Sequence, residues 1–310
     1  MKGTRSVFSD PVDPPPQGTP WTVLHLLRWS TDYLKEKGIG GGRLDVEHLL
    51  ADILGMDRLQ LYLHFDRPVS PEELDTFKPR LLDRARRKPL QYILGKTSFR
   101  ELSLRTDPRA LIPRPETEEL VEAVLGRVQE WDGRALSALD IGTGSGAIAL
   151  SLALEGPFER IVATDRSEDA LALAQENARE LGLQDRVTFR AGEGLEPLEA
   201  GERFSVVVSN PPYVTEEEFE ALEPEIRSWE PRDALVASEG GMSVLLELVE
   251  GAGSVLAPGG LLALEVGSGQ AQGVAERIRS VSGFGAPAVL RDLSRRDRIV
   301  LASWEPPAPS

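Results

Sequence analysis

The 310-residue sequence contains no cysteine. Disulfides, thiolate nucleophiles and cysteine-ligated zinc or iron–sulfur centres are excluded together. Histidine is scarce as well: His25, His48 and His64 are all there is, and all lie in the first quarter of the chain. A histidine-based triad or histidine-rich metal site is therefore not expected, and no metal is assigned. Positive charge is outweighed, with 35 Lys and Arg against 50 Asp and Glu, a net charge of −15. Proteins that track nucleic acid draw most of their affinity from phosphate neutralisation and present a basic face. This balance favours a protein or small-molecule partner, with no direct nucleic-acid binding expected. No apolar run approaches the roughly 20 residues needed to cross a bilayer. The N-terminus has neither the layout of a secretory signal nor that of an Arg-rich import peptide. A cytoplasmic protein without membrane association, acting as a monomer, is the expectation.

What is present supports a real core, since 41% of the residues are hydrophobic. Residues 1–18, with Pro11, Pro14, Pro15, Pro16 and Gly18, have little apolar content and read as a disordered extension. Order is expected to begin at Thr19-Pro20, an N-cap followed by proline. Leu24, Leu27 and Leu34 then share a face up to Gly38. A second helix carries Val46, Leu49, Leu50 and Ile53 and ends at Gly55. Ser70-Pro71-Glu72-Glu73 is a capping box opening a third, with Leu74, Phe77, Leu81 and Leu82 as its apolar face. Arg84-Ala85-Arg86-Arg87-Lys88 reads as its solvated end. Residues 19–90 thus form an all-helical bundle. Residues 91–115 read as a hairpin linker, with loose alternation over Thr97–Leu104 and a turn at Asp107-Pro108.

Residues 116–305 alternate helix and strand, with strands expected at Leu136–Asp140, Arg160–Asp165, Val187–Arg190, Phe204–Ser209, Gly260–Val266, Ala288–Arg291 and Arg298–Ala302. The pattern implies an α/β fold, Rossmann-like, with a mostly parallel sheet. The short turn between the last two strands makes one of them antiparallel, the arrangement of class I S-adenosylmethionine-dependent methyltransferases.

Four features carry chemistry. Leu139-Asp140-Ile141-Gly142-Thr143-Gly144-Ser145-Gly146 runs from a strand through a glycine turn into a helix. Its spacing is not the dinucleotide Gly-x-Gly-x-x-Gly, and it lacks the lysine of a P-loop. An acid before the glycines repels a pyrophosphate but suits the ammonium of a methionine moiety. Asp140, Ile141, Gly142, Thr143 and Gly144 are accordingly read as binding S-adenosyl-L-methionine. Asp165, ending the next strand, is placed to accept from both ribose hydroxyls. Glu193 and Gly194, after the third strand, stand on the adenine side.

The most specific feature is Asn210-Pro211-Pro212-Tyr213, directly after a buried strand. An amide nitrogen is a poor nucleophile, so methylating one requires its hydrogens held and its lone pair aimed at carbon. The Asn210 side-chain oxygen and the Pro211 carbonyl can each accept one N–H, and Asn210 also borders the cofactor. Two prolines stiffen the acceptors. Tyr213 offers a plane for a flat group. By this chemistry alone, a side-chain amide and a nucleobase amine remain open as acceptors. Glu265, ending a later buried strand, either supports this loop or caps it.

These residues together resemble the peptide chain release factor glutamine methyltransferases, the HemK/PrmC group, over nearly all of the chain. Arg43-Leu44-Asp45-Val46-Glu47, Pro89-Leu90-Gln91-Tyr92-Ile93-Leu94-Gly95 and Leu111-Ile112-Pro113-Arg114-Pro115-Glu116-Thr117-Glu118 are similar to family elements, as are Glu230-Pro231 and Asp292-Leu293 with Arg298. The resemblance implies that the substrate is the glutamine of the Gly-Gly-Gln loop in class 1 peptide chain release factors. It also implies that the helical domain recognises that substrate and that Asn210, Pro211, Pro212 and Tyr213 hold the glutamine. A glutamine methyltransferase acting on a large-subunit ribosomal protein, or an amino-methyltransferase of DNA or RNA bases, is the alternative. The chain departs from the family pattern in three places, one being the proline-rich N-terminal extension, which has no assignable counterpart. Glu193 and Gly194 stand where an Asp and an aromatic are usual, and Arg295 where a glycine is usual.

Overall fold

The computed structural model describes residues 20–131 and 135–306. The expected disordered extension and the Thr19 cap lie outside the described residues. The chain divides between Leu94 and Gly95 into two compact units.

The first unit contains α1 (Val23–Glu36), α2 (Gly42–Leu54), α3 (Arg58–Leu63), α4 (Pro71–Ala85) and α5 (Leu90–Leu94). Its core is formed by Leu26, Leu34, Val46, Leu49, Leu50, Phe77 and Leu81. The cap of α1 is Thr22, three residues later than expected. The physical reason is Trp21, which is buried and reached by extended backbone. The Trp21 carbonyl accepts from Val69 N at 2.8 Å, and the amides of Val23 and Leu24 donate to Arg67 and Phe65 carbonyls. Those carbonyls satisfy first-turn amides that would otherwise need a side-chain cap. Ser70 opens α4 with its capping box as expected, and Gly55 ends α2 in the left-handed region. Helix α3 was not anticipated, although Asp57 and Gln60 form a reciprocal capping box at its start. Arg84 departs from the expected solvated end: it is buried and donates to Asp45 at 2.6 Å, tying α4 to α2.

The second unit opens with the hairpin β1 (Lys96–Phe99) and β2 (Leu102–Arg105). Phe99, Leu102 and Leu104 share a core cluster with Leu120, Ile148 and Val206. From Gly95 onward the segment expected as a linker therefore packs into this unit, while residues 91–94 lie in α5 of the first. There follow α6 (Pro115–Val128), β3 (Leu136–Ile141), α7 (Ala147–Glu155), β4 (Phe158–Asp165), α8 (Glu168–Glu180), β5 (Val187–Ala191) and β6 (Phe204–Ser209). After them come α9 (Glu216–Ala221), α10 (Pro224–Arg227), α11 (Ser238–Gly241), α12 (Ser243–Ala252), β7 (Leu256–Glu265), α13 (Ala271–Ser280), β8 (Ala288–Arg291) and β9 (Asp297–Trp304).

Seven strands form one sheet in the order β5-β4-β3-β6-β7-β9-β8, and β9 alone runs against its neighbours. The interior strands are near-continuous apolar runs because helices cover both faces. Along β6, Val206 and Val208 enter one core layer while Phe204 and Val207 enter the other. From β3 the chain first winds outward through β4 and β5, then returns to lay β6 on the opposite side. Beyond the carboxyl ends of β3 and β6 the order reverses, and in open α/β sheets that crevice receives the ligand.

Candidate active site

Adjacent strands deliver the two halves of the site. In the parallel register Asp140 lies opposite Val208 and Ile141 opposite Ser209. The Ser209 hydroxyl donates to the Ile141 carbonyl at 2.7 Å, locking the two strand ends together. The glycine turn therefore starts beside Asn210.

Gly142, Gly144 and Gly146 all have left-handed φ, between 56° and 86°. The turn thus rises from β3 and drops into α7 through backbone conformations that favour glycine. Asp140 is fully buried. Its Oδ2 accepts from the Thr143 hydroxyl at 2.6 Å and from Ala149 N at 3.1 Å. Its Oδ1 is buried without a hydrogen-bond partner. Burial pushes the carboxyl up to about 7, and the nearby Asp165 adds to the rise. An orphaned carboxylate oxygen in such a place suits a cationic donor such as an ammonium, so the residues present fit a methionine-type ligand.

Asp165, at the end of β4, accepts from Gly144 N at 2.9 Å through Oδ2 and from Ser167 N at 2.9 Å through Oδ1. It thereby holds the glycine turn against β4, and each oxygen keeps a lone pair for a hydroxyl. The loop after β5 is tied to the same strand end by Gly192 N donating to the Asp165 carbonyl. In that loop Glu193 is exposed, 3.6 Å from Arg166, and Gly194 is left-handed. Ile141 and Thr143 are buried in the turn.

At the end of β6, Pro211 is buried, while Asn210, Pro212 and Tyr213 are half-buried. Asn210 Nδ2 donates to the Thr117 hydroxyl at 3.0 Å. Thr117, on α6, donates to Glu265 Oε2 at 2.7 Å, and the Tyr213 hydroxyl donates to Glu265 Oε1 at 3.2 Å. Among the described residues no donor reaches Asn210 Oδ1 or the Pro211 carbonyl. Burial pushes Glu265 up to about 7, opposed by Thr117, Arg298 and Tyr213. Burial also raises the Tyr213 phenol, reinforced by the Glu265 charge, so Tyr213 stays a neutral donor.

Several neighbours of this loop had no role in the sequence reading. Gln270 donates to the Tyr213 carbonyl at 2.9 Å and accepts from Gly267 N at 2.8 Å. Gly241, with φ 79°, lies so close that an added Cβ would fall 2.1 Å from the Tyr213 oxygen. Arg114 and Glu230, noted only as separate family elements, form an ion pair of 2.6 Å, and Glu230 also accepts from Ile112 N. Thr117 was visible only as a letter of the Pro-Glu-Thr-Glu element. Its partners lie 93 and 148 residues away in sequence. Arg295, where the resemblance implies a glycine, has φ 62°. The left-handed turn that favours glycine is kept there by a side chain that tolerates it poorly.

The PrmC N-terminal domain family matches residues 25–95 and a methyltransferase domain family matches residues 132–280. The chain is 43% identical to the release factor glutamine methyltransferase of Geobacter sulfurreducens, over 90% of this chain and 96% of that one. It is 42% identical to the protein of that name from Moorella thermoacetica, over 91% and 98%. For the Chlorobaculum tepidum protein of that name the identity is 39%, over 91% and 97%. Among solved structures, the hMettl16 catalytic domain in complex with MAT2A 3'UTR hairpin 6 shares the fold, with a TM-score of 0.51 and 17% identity over 74% of this chain and 82% of that one. With such identity to curated relatives along nine-tenths of its length, the chain belongs to the release factor glutamine methyltransferase family.

Proposed function

We propose that the chain methylates the side-chain amide nitrogen of the glutamine in the Gly-Gly-Gln motif of class 1 peptide chain release factors. The observation that carries this reading is the register of β3 against β6, which brings the Asp140 glycine turn and the Asn210 tetrapeptide to one crevice. The activity named for the relatives supports glutamine as the acceptor. The acidic net charge of −15 favours a protein over a nucleic acid. Such a substrate belongs to translation and hence to the cytoplasm.

The methyl donor is S-adenosylmethionine, which when bound supplies an electrophilic methyl carbon on its sulfonium. Asp140 Oδ1 would accept the donor's ammonium, and the glycine turn from Gly142 to Gly144 would border its methionine end. Asp165 would use its remaining lone pairs for the ribose hydroxyls, while Glu193 and Gly194 would border the base. On the acceptor side, Asn210 Oδ1 and the Pro211 carbonyl each take one hydrogen of the glutamine –NH2. This fixes the plane of the amide and turns its nitrogen lone pair toward the methyl. The rigid Pro211-Pro212 backbone keeps these acceptors in place before substrate arrives. Tyr213 gives the flat amide a surface to lie on. No strong base is required: as the N–C bond forms, the S–CH3 bond would break to leave a neutral thioether, and the acidified nitrogen would lose its extra proton to water.

The decisive assay follows transfer of labelled methyl to purified release factor and to the same factor with its Gly-Gly-Gln glutamine replaced. Labelling of the first alone is expected. Equal labelling of both, or labelling only of a ribosomal protein or of DNA, would refute the proposal.

A further inference from the structure

Asn210 carries two chemically opposite faces of nearly the same shape. Rotating its carboxamide by half a turn exchanges a hydrogen-bond acceptor for a donor at little steric cost. Something must choose between them, and the choice decides whether the site receives an –NH2 group or repels it.

We propose that Thr117 and Glu265 set the polarity of the Asn210 amide, Glu265 acting through the Thr117 hydroxyl as a positioning residue. The inference rests on the reading of Asn210 Oδ1 as an acceptor for the substrate amide. The Thr117 hydroxyl has one proton, and the Glu265 carboxylate takes it at 2.7 Å. With its proton so committed, the Thr117 oxygen serves Asn210 only as an acceptor, at 3.0 Å from Nδ2. Asn210 Oδ1 is thereby left to face the substrate. Tyr213, at 3.2 Å from the other carboxylate oxygen, donates as well and so favours the same charge state. Once Glu265 takes a proton, the sequence of donors runs backwards. Glu265 donates to Thr117, Thr117 donates to Asn210 Oδ1, and the Asn210 –NH2 meets the substrate –NH2 donor to donor. The charged and titratable groups facing Glu265 are Glu116 from α6, Tyr213 from the loop after β6 and Arg298 from β9. Burial raises Glu265 to about 7 despite Arg298, so the reversal falls within a range that an activity assay reaches. The glutamine amide itself does not titrate there.

The test measures kcat, KM for release factor and cofactor affinity for the full-length enzyme and for Thr117→Val, Thr117→Ser, Glu265→Gln and Asn210→Ala. Thr117→Val keeps the shape and removes the relay, so kcat should fall about ten- to a hundredfold, the scale of one misdirected buried hydrogen bond. Cofactor affinity should not change, and Thr117→Ser should recover most of the rate. With both substrates saturating, wild-type kcat should decline on the acid side of the Glu265 titration. Glu265→Gln, slower throughout, should be flat where the wild type bends. A Thr117→Val enzyme with wild-type kcat, a Thr117→Ser enzyme as slow as Thr117→Val, or an unchanged acid limb in Glu265→Gln would overturn the relay. Should Thr117→Val not fold, the Glu265→Gln profile decides by itself. Asn210→Ala separates the two layers. If it remains active, the reading of Asn210 fails; if it is inactive while Thr117→Val is normal, only the relay fails.

Discussion

Replacing Asp140 by Asn should stabilise the protein in the absence of its cofactor while weakening its hold on that cofactor. Burial lifts the Asp140 carboxyl from 3.8 to about 7. The folded state thus holds this proton more tightly than the unfolded chain. The stability it confers is fully present below the unfolded pKa and is lost as pH rises through the folded one. Above that range the ionised carboxylate costs the fold about 4 kcal/mol, at about 1.4 kcal/mol per tenfold change in proton affinity. Asparagine removes the charge but puts a buried –NH2 or carbonyl where Oδ1 has no partner, at a cost of about 1–3 kcal/mol. The difference leaves about 1–3 kcal/mol in favour of Asp140→Asn at about pH 8, or a Tm increase of about 2–12 °C for a domain of this size. At about pH 5 the folded carboxyl is neutral but the unfolded one is already ionised, so about 2 kcal/mol of that cost remains, which the asparagine's own cost offsets, and the advantage should vanish. Thermal melts at both pH values measure the effect, and isothermal titration with S-adenosylmethionine measures the lost affinity. A lower Tm at the higher pH, or the same difference at both, would refute the reasoning.

The same carboxyl predicts that cofactor affinity weakens as pH falls through about 7, and that binding releases protons in that interval. Calorimetry in buffers of different ionisation enthalpy checks this. Gly241→Ala forces a Cβ to within 2.1 Å of the Tyr213 carbonyl at a left-handed position. It should cost about 1–3 kcal/mol in urea unfolding and lower methyl transfer by displacing the tetrapeptide. Glu230→Gln leaves Arg114 without its counter-charge. Because Arg114 is partly solvated, the loss should be modest, about 1–3 kcal/mol, read from chemical denaturation.

The second unit was legible strand by strand because its interior strands carry apolar runs between turn residues. Val206, Val207 and Val208 declare β6 without any tertiary information. The capping box at Ser70 was legible for the same local reason. The box at Asp57 and Gln60 was equally local and went unread, because helix α3 is only six residues long and shows no apolar period. The start of α1 was unreadable in principle. It is set by carbonyls of Phe65 and Arg67, some 40 residues downstream. Likewise, Arg84 looked solvated because nothing near it in sequence announces Asp45 as its partner. In the candidate site, the sequence yields the residues that line the crevice but not those that orient them. Thr117, Gln270 and Gly241 act on the tetrapeptide from three other elements, and no spacing rule connects them.

The reversed strand bears on how the enzyme is made. Strand β9 lies between β7 and β8, so β8 has no neighbour in the sheet until β9 is in place. The strand brings Arg298, whose guanidinium donates to the Val266 carbonyl and whose charge acts on Glu265. During synthesis, β3 to β7 can assemble as they emerge, but the neighbourhood of Glu265 stays incomplete until Asp297–Trp304 has left the ribosome. A nascent chain stalled before that point holds the glycine turn and the tetrapeptide without the cation that completes their surroundings. The charge that opposes the upward shift of Glu265 thus joins its surroundings only with the last strand.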